Sequence, residues 1–335
     1  MTQPLVSVVT PTMDPGDRLT RCLESVAMQS YVSLEHIVVD GGSTDGTLDV
    51  LKERTGLKWI SEPDEGQSDA INKGFAMAQG SIIGWLNADD VLAPDAVQSV
   101  VRAFESDPEV GWIVGDIVVV GKGEAELEVP ANIGKPDTWR ARNLAAQPGS
   151  FMSRWALDRI GPLDPRFHYM MDFDLWLRLI DEGIKGVHIP KPLAVFEVHG
   201  DSKSGSVPHA RFLVDEAAVR WKSGRHRSAS FALGRAIAWA DAEESDVDVQ
   251  ETFESLVENN PALDAKAFRA GARVETAILE MKASKTAALR LMDVRLWTTR
   301  ESRSRLRSVL ARGATRRARR HRASEFLAAS SSLPF

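Results

Sequence analysis

The chain has 335 residues, of which 43% are hydrophobic, 26% charged and 7% aromatic, enough apolar material for a sizeable core and too much for wholesale disorder or a low-complexity scaffold. Its single cysteine, Cys22, excludes an internal disulfide and a cysteine-built zinc cluster, and points to a reduced, intracellular chain. The net charge of −6 hides an asymmetry, because residues 300–322 carry ten Arg against one acidic residue, Glu301, and the rest of the chain has 31 basic against 46 acidic residues. An acidic body with a basic tail argues against a nucleic-acid-binding core. Met1 to Thr10 lacks a basic, cleavable leader, and no window reaches the ~18 to 20 apolar residues of a membrane span.

In chain order, Leu5 to Thr10 reads as a strand, and residues 16–28 place Leu19, Leu23 and Val26 on one helical face. Strands follow at 34–39, 57–61, 81–86 and 110–120, with helices near 46–54, at 67–78 and from Pro94. This alternation implies right-handed crossovers and a mostly parallel, doubly wound α/β sheet, with ligands at the carboxyl ends of the strands. Residues 122–207 are less regular, with Trp139, Phe151, Trp155, Phe167 and Trp176 among Pro and Gly, and read as an α+β continuation of the same domain. From 208 to 300 the strand signal gives way to a helical region broken near Gly224, Asp246 and Pro261, and 301–335 read as a basic helical tail with a Ser-rich end.

Polar residues gather where the strands end. Pro11 and Thr12 close the first strand, and Asp40 closes the second before Gly41, Gly42 and Ser43. A carboxylate followed by glycines suits a nucleotide base or ribose, and equally suits a tight turn in which Thr44 or Asp45 caps the next helix. Neither a Walker motif nor a dinucleotide-binding Gly-x-Gly-x-x-Gly is present. Asp69, Asn72 and Lys73 add polar groups at a helix entry. Asp89 and Asp90 end the apolar strand Gly84-Trp85-Leu86-Asn87-Ala88, a placement costly to folding unless their charges meet water or a cation such as Mg or Mn; the alternative is an exposed turn before the Pro94 helix. Asp172 precedes Leu175, Trp176 and Leu179 at helical spacing and sits at a helix start, as a catalytic carboxylate or as a cap.

Together Val8-Val9-Thr10-Pro11-Thr12, Val39 to Thr47, Asp69 to Gly74, Trp85 to Asp90 and Met171 to Leu179 occur in an order that resembles family 2 glycosyltransferases of the GT-A fold, over residues 5–205. The resemblance implies an inverting transfer of a sugar from a nucleotide diphosphate donor to a glycan or lipid-linked acceptor, in polysaccharide or glycoconjugate biosynthesis. It implies that Pro11, Thr12 and Asp40 hold base and ribose, with Asp69, Asn87 and Asp89 beside the donor. Asp89 and Asp90 match the metal-and-diphosphate motif for Mn or Mg, with Asp90 ranked ahead as direct ligand, and His199 resembles a late loop closing on the diphosphate. Asp172 matches the catalytic base. Asn87 departs from the family's Asp in the metal motif, and Met171 from a Glu before the base. The division expected is a transferase domain over 1–207, its nucleotide-sugar half at 1–121 and its acceptor half at 122–207, followed by the helical region and the tail. Residues 300–322, with Leu306, Val309 and Leu310, suit a peripheral contact with an anionic membrane surface at the cytoplasmic face, or a solvated tail. The rival readings are a sugar nucleotidyltransferase, disfavoured by Thr12-Met13-Asp14-Pro15 where a basic phosphate loop belongs, and a silent nucleotide-sugar-binding scaffold.

Overall fold

Strand β1 (Val6–Thr12) buries every one of its side chains, as a strand covered on both faces must. In the computed structural model, which describes residues 3–121, 124–129, 131, 143, 146–199, 209–242, 246–257, 263–264, 267–273 and 275–276, β1 lies at the heart of one sheet. The basic tail at 301–335 and the loop 200–208 lie outside the described residues. The described chain forms two compact units, one running to Pro165 and resuming over Leu175–His199, the other built from Arg166–Asp174 and the helices from His209 onward.

The first unit holds β1, β2 (Leu34–Asp40), β3 (Lys58–Ser61), β4 (Ile82–Trp85), β5 (Val91–Leu92), β6 (Val110–Gly121), β7 (Glu124–Val129), β8 (Ser150–Ser153) and β9 (Lys185–Glu197). Their order is β3-β2-β1-β4-β8-β6-β9-β5, with β7 on β6. The α/β architecture is as the sequence implies, but parallel pairing is confined to β1 with β2 and β4, β2 with β3, and β6 with β9. The other four pairings, β4–β8, β5–β9, β6–β7 and β6–β8, are antiparallel, so the sheet is mixed beyond β4. Pro190 and Pro192 conceal β9 in the sequence. Proline is admitted here because the β6–β9 register shifts around Asp116, which pairs with Pro192.

The helices follow their apolar spacing. In α1 (Arg18–Ala27) Leu19, Cys22, Leu23 and Val26 are buried, and in α4 (Ala96–Ser106) Ala96, Val97, Val100 and Val101. Helices α2 (Thr47–Glu53) and α3 (Gln67–Met77) both begin after a glycine with positive φ, Gly46 and Gly66. Ser153 caps α5 (Arg154–Ile160) by accepting the Ala156 N–H. Trp176, from α6 (Met171–Asp181), stacks between Trp85 and Trp112, with ring centroids 6.2 and 5.5 Å apart and planes within 11° and 15°.

In the second unit, α7 (His209–Lys222) and α8 (His226–Ala242) are separated by Gly224, whose φ of 73° ends the first helix, and α9 (Val249–Leu256) is capped by Asp248. Gly234 lets α8 approach the segment at 267–273 closely: a Cβ there would stand 2.1 Å from the Phe268 carbonyl oxygen. Arg235 is buried between Glu216 and Glu275, with Nε 2.9 Å from Glu275, while Arg220 pairs with Glu216 at 2.9 Å, so the charges in this helical interior are matched.

Gly74 explains one position in the Asp69-to-Gly74 motif by packing alone. A Cβ at Gly74 would lie 2.2 Å from Val9 Cγ1, so α3 sits as close to β1 as glycine permits. An Ala in a helix interior gains about 1 kcal/mol over Gly, whereas overpacking a filled core costs about 1 to 3 kcal/mol. The clash prevails, and Gly74→Ala is expected to destabilise the protein in urea unfolding while Val9→Ala in the same chain relieves it. Equal or greater stability of the single variant would show that the two elements are free to separate.

Candidate active site

The carboxyl ends of β1, β2 and β4 bring together most of the residues singled out from the sequence. Asp40 ends β2 with no exposed surface, and its carboxylate is filled by protein donors: Gly42 and Ser43 N–H at 3.2 and 3.0 Å, Ser61 Oγ at 2.7 Å, and the Ser43 hydroxyl. It organises the glycine turn, and a contact with base or ribose would have to displace or share those donors. A second tie joins the β1 and β2 loops, with Thr44 N–H donating to Asp14 at 2.7 Å and Gly16 N–H to Asp45 at 2.8 Å. Asp14 adopts φ 46° there. Gly41 faces Asp64 so closely that a Cβ would stand 2.5 Å from its Oδ2.

Pro11 and Thr12 close β1, both buried, and Thr12 Oγ1 has no hydrogen-bond partner among the described residues. Asp69, in the first turn of α3, accepts the Glu65 N–H at 3.2 Å and pairs with Lys73 at 3.3 Å. Asn87 is the hub of the motif that follows β4. Its Oδ1 accepts from Gln67 Nε2 at 2.8 Å, and its Nδ2 donates to Asp90 Oδ2 and to Gln147 Oε1, each at 3.1 Å. Gln147 in turn donates to the Trp85 carbonyl at 2.6 Å. An amide at 87 can donate to Asp90 where a carboxylate would repel it, which gives the departure from the family's Asp a physical basis.

Asp89 and Asp90 occupy different surroundings. Asp90 is wholly buried; Oδ2 is held by Asn87, while Oδ1 has no partner among the described residues. Burial and then the neighbouring Asp89 push its carboxyl well above the ordinary range, against hydrogen bonds from Asn87 and the Glu197 N–H. Asp89 is partly open, and its Oδ2 lies 3.1 Å from His199 Nε2. Among the described residues no three His, Cys, Asp or Glu side chains gather closely enough to enclose a metal ion. Asp89 and His199 nonetheless fit a divalent cation, since adjacent ligands on an octahedron with bonds of about 2.1 Å stand about 3 Å apart, and Mg or Mn leaves its other positions to phosphates and water.

Asp172 belongs to the second unit. It lies in the first turn of α6, where Asp174 N–H closes on the Met170 carbonyl at 3.0 Å, and its Oδ1 accepts the Phe173 N–H at 2.7 Å. Asp174 is buried and paired with Lys222 at 3.0 Å. Ser61, Gln147 and Lys222 lie outside the polar motifs of the sequence, yet they bond Asp40, Asn87 and Asp174. Gln147 stands in a stretch without periodicity, and Lys222 lies 48 residues from Asp174, so no local pattern could have joined them.

A sheet with β1, β2 and β4 parallel, a carboxylate pair after β4 and a polar glycine turn after β2 is the arrangement that the resemblance to GT-A glycosyltransferases leads one to expect. Residues 7–155 match the model for glycosyl transferase family 2. An uncharacterized glycosyltransferase of Mycobacterium tuberculosis is 33% identical over 184 residues, 52% of this chain and 68% of that protein. A PGL/p-HBAD biosynthesis glycosyltransferase of Mycobacterium bovis is 31% identical over 187 residues, 53% of this chain and 70% of that one. The chain belongs to glycosyl transferase family 2, and it is a transferase enzyme. Among solved structures, the mannosyltransferase PcManGT from Pyrobaculum calidifontis, in complex with GDP-Man and Mn2+, is similar with a TM-score of 0.50 at 18% identity, over 99% of this chain and 87% of that one. TarS residues 1–349 of S. aureus, in complex with UDP, is similar with a TM-score of 0.53 at 13% identity, over 82% of this chain and 83% of that one.

Two titratable groups beneath the strand ends belong to the core. Burial pushes the Cys22 thiol up to about 12, and it packs against Thr10 Oγ1 at 3.7 Å. His36, hydrogen-bonded to Thr10 at 2.8 Å, is driven by burial down to about 3 from 6.5. Between those values the unfolded chain binds the proton and the folded chain does not. Stability therefore falls on acidification through that window, by up to about 1.4 kcal/mol per pH unit. The His36→Gln protein is expected to show a flatter loss of stability between pH 6.5 and pH 4 in denaturant titrations. An identical slope in both proteins would mean that His36 accepts a proton in the folded state.

Proposed function

We propose that the protein is an inverting, divalent-cation-dependent transferase that moves a sugar from a nucleoside diphosphate donor to a hydroxyl of a glycan or lipid-linked acceptor. The observation that carries this reading is the approach of Asp89 and His199 to 3.1 Å beyond the end of β4, beside the buried Asp90. A carboxylate and an imidazole at that separation are ligands that Mg or Mn accepts while keeping positions for a diphosphate. When bound, the cation would offset the charge that develops on the leaving diphosphate. Asp90, fully buried, serves by fixing Asn87, and Thr12 supplies an unused hydroxyl for the base or ribose. The occupied carboxylate of Asp40 makes it the organiser of the turn that the nucleotide would meet.

The chemistry of the transfer requires one base. The acceptor oxygen forms a bond to the sugar's C1 as the C1–O bond to the diphosphate breaks, and Asp172 takes the acceptor's proton. One displacement with no covalent enzyme intermediate inverts the anomeric centre. The names of the relatives favour glycolipid or polysaccharide synthesis, and the titles of the structural neighbours suggest guanosine and uridine diphosphate sugars as first probes. A contact of residues 300–322 with the inner face of a membrane suits such an acceptor. No helix among the described residues is long and apolar enough to cross a membrane.

Two outcomes check this reading. Thermal shift and calorimetry with GDP-Man and UDP-GlcNAc should show donor affinity that rises with Mn2+, and Asp89→Ala or His199→Ala should remove the metal-dependent part. Identical affinity in EDTA and Mn2+ would remove the cation from the reaction. Asp172→Asn keeps the helix start and should bind donor normally while turnover falls about 10²- to 10⁴-fold, the usual contribution of a general base. Turnover within a few-fold of the unaltered enzyme would leave Asp172 as a helix cap and place the base elsewhere.

A further inference from the structure

The start of α6 is held from outside its own helix. His168 and Tyr169 donate their backbone N–H groups to the same oxygen of Asp215, at 2.9 and 2.8 Å, and the Met170 N–H also reaches this carboxylate. Met170 is the residue whose carbonyl opens α6, so a carboxylate from α7 collects three successive N–H groups at that helix's N-terminus. The Met170 N–H, at the cap, has no partner within the helix, and a negative charge at a helix start is favoured by the helix dipole. Asp215 is buried, its carboxyl raised by desolvation against those same hydrogen bonds. It has been taken out of water to serve this contact.

Other groups on α7 fix the same segment. Lys222 pairs with the buried Asp174 at 3.0 Å and lies 5.2 Å from the centroid of the Phe167 ring. Arg220 stands 5.1 Å from the Phe173 ring, and Phe212 packs on Tyr169 with centroids 4.7 Å apart. Phe173 and Asp174, which flank Asp172 on its carboxyl side, and Phe167 to Tyr169 before it are each tied to one helix. That helix lies beyond residues 7–155, the part that matches the family model.

We infer that Asp215, supported by Lys222, is a positioning residue for the transfer: the appended helices set the orientation of Asp172. This rests on the reading of Asp172 as the base. A base must be aligned with the proton it accepts, and misplacement by about 1 Å can cost on the order of 100-fold in rate. Donor binding, by contrast, draws on Thr12, Asn87, Asp89 and His199 in the other unit and does not call on Asp215.

The test uses the full-length protein and the nucleotide sugar, GDP-Man or UDP-GlcNAc, that stabilises it more in Mn2+, with release of nucleoside diphosphate as the assay. Asp215→Ala should lower kcat on the order of 10- to 100-fold with donor affinity unchanged, and Asp215→Asn, which keeps an acceptor oxygen, should recover part of the loss. In an Asp172→Asn background the Asp215→Ala change should cost less than about twofold, because groups that act as a unit are not additive. Hydrogen exchange should rise at 168–174 in Asp215→Ala and not in β1 or β2. If Asp215→Ala does not fold, Asp215→Asn and Lys222→Met carry the same comparison. A loss that multiplies equally in both backgrounds, a loss confined to donor affinity, or unchanged exchange at 168–174 would overturn the positioning role alone. An Asp172→Asn protein that keeps its turnover would overturn the base and this role with it.

Discussion

A carboxylate with no access to water must find donors or stay protonated, and two such carboxylates order the polar strand ends of this sheet. Asp40 and Asp90 have no exposed surface, and they meet that requirement differently. Asp40 has a full set of donors from the turn that follows it and from Ser61, so its charge is absorbed in building a loop. Asp90 has Asn87 and the Glu197 N–H on one side and an oxygen without partner among the described residues on the other. Leaving a buried polar atom without a partner costs on the order of 1 to 3 kcal/mol. Asn87, Gln67 and Gln147 are arranged around this carboxylate, and Asp89 is turned toward His199 beside it.

Much of the parallel half of the sheet was legible because its signals are local. The runs at Val6–Thr12 and Leu34–Asp40 are apolar and β-branched, and Leu19, Leu23 and Val26 recur at helical spacing, so periodicity alone finds them. The strand ends carried the polar residues of the site, and the structure places Thr12, Asp40, Asn87, Asp89 and Asp90 at or just beyond neighbouring strands. The antiparallel half was hidden. Strand β9 contains Pro190 and Pro192, which argue against a strand unless the register shift at Asp116 is known, and β8 is only four residues long. The same limit applies to the surroundings of the carboxylates: Asp90 is buried and Asp89 partly open, and the groups that reach Asn87 and Asp90, Gln147 and the Glu197 N–H, are far away in sequence.

The helices after 208 carry no motif, yet they hold the turn that precedes Asp172. Their interior is charged as well as apolar, with Arg235 between Glu216 and Glu275, and Trp239 Nε1 donating to Glu275 at 2.9 Å. Removing one partner from such a network would leave a buried charge uncompensated, at a cost of about 3 to 5 kcal/mol. One face of α7 meets the turn before α6, through Asp215 and Phe212.

The short strand β8 carries a consequence for the making of the protein. It lies between β4 and β6, so among the described residues the strand pairing that joins the two halves of the sheet runs through Ser150–Ser153. A nascent chain that has emerged only as far as β6 presents β4 with a bare edge, and β6 also awaits β9, which begins 64 residues after β6 ends. Such non-local pairings are slow to form and leave strand edges exposed while they do. Synthesis of this enzyme therefore includes an interval in which Ile82 and Ile83 stand unpaired on one side, and that interval closes only after Ser153 has left the ribosome.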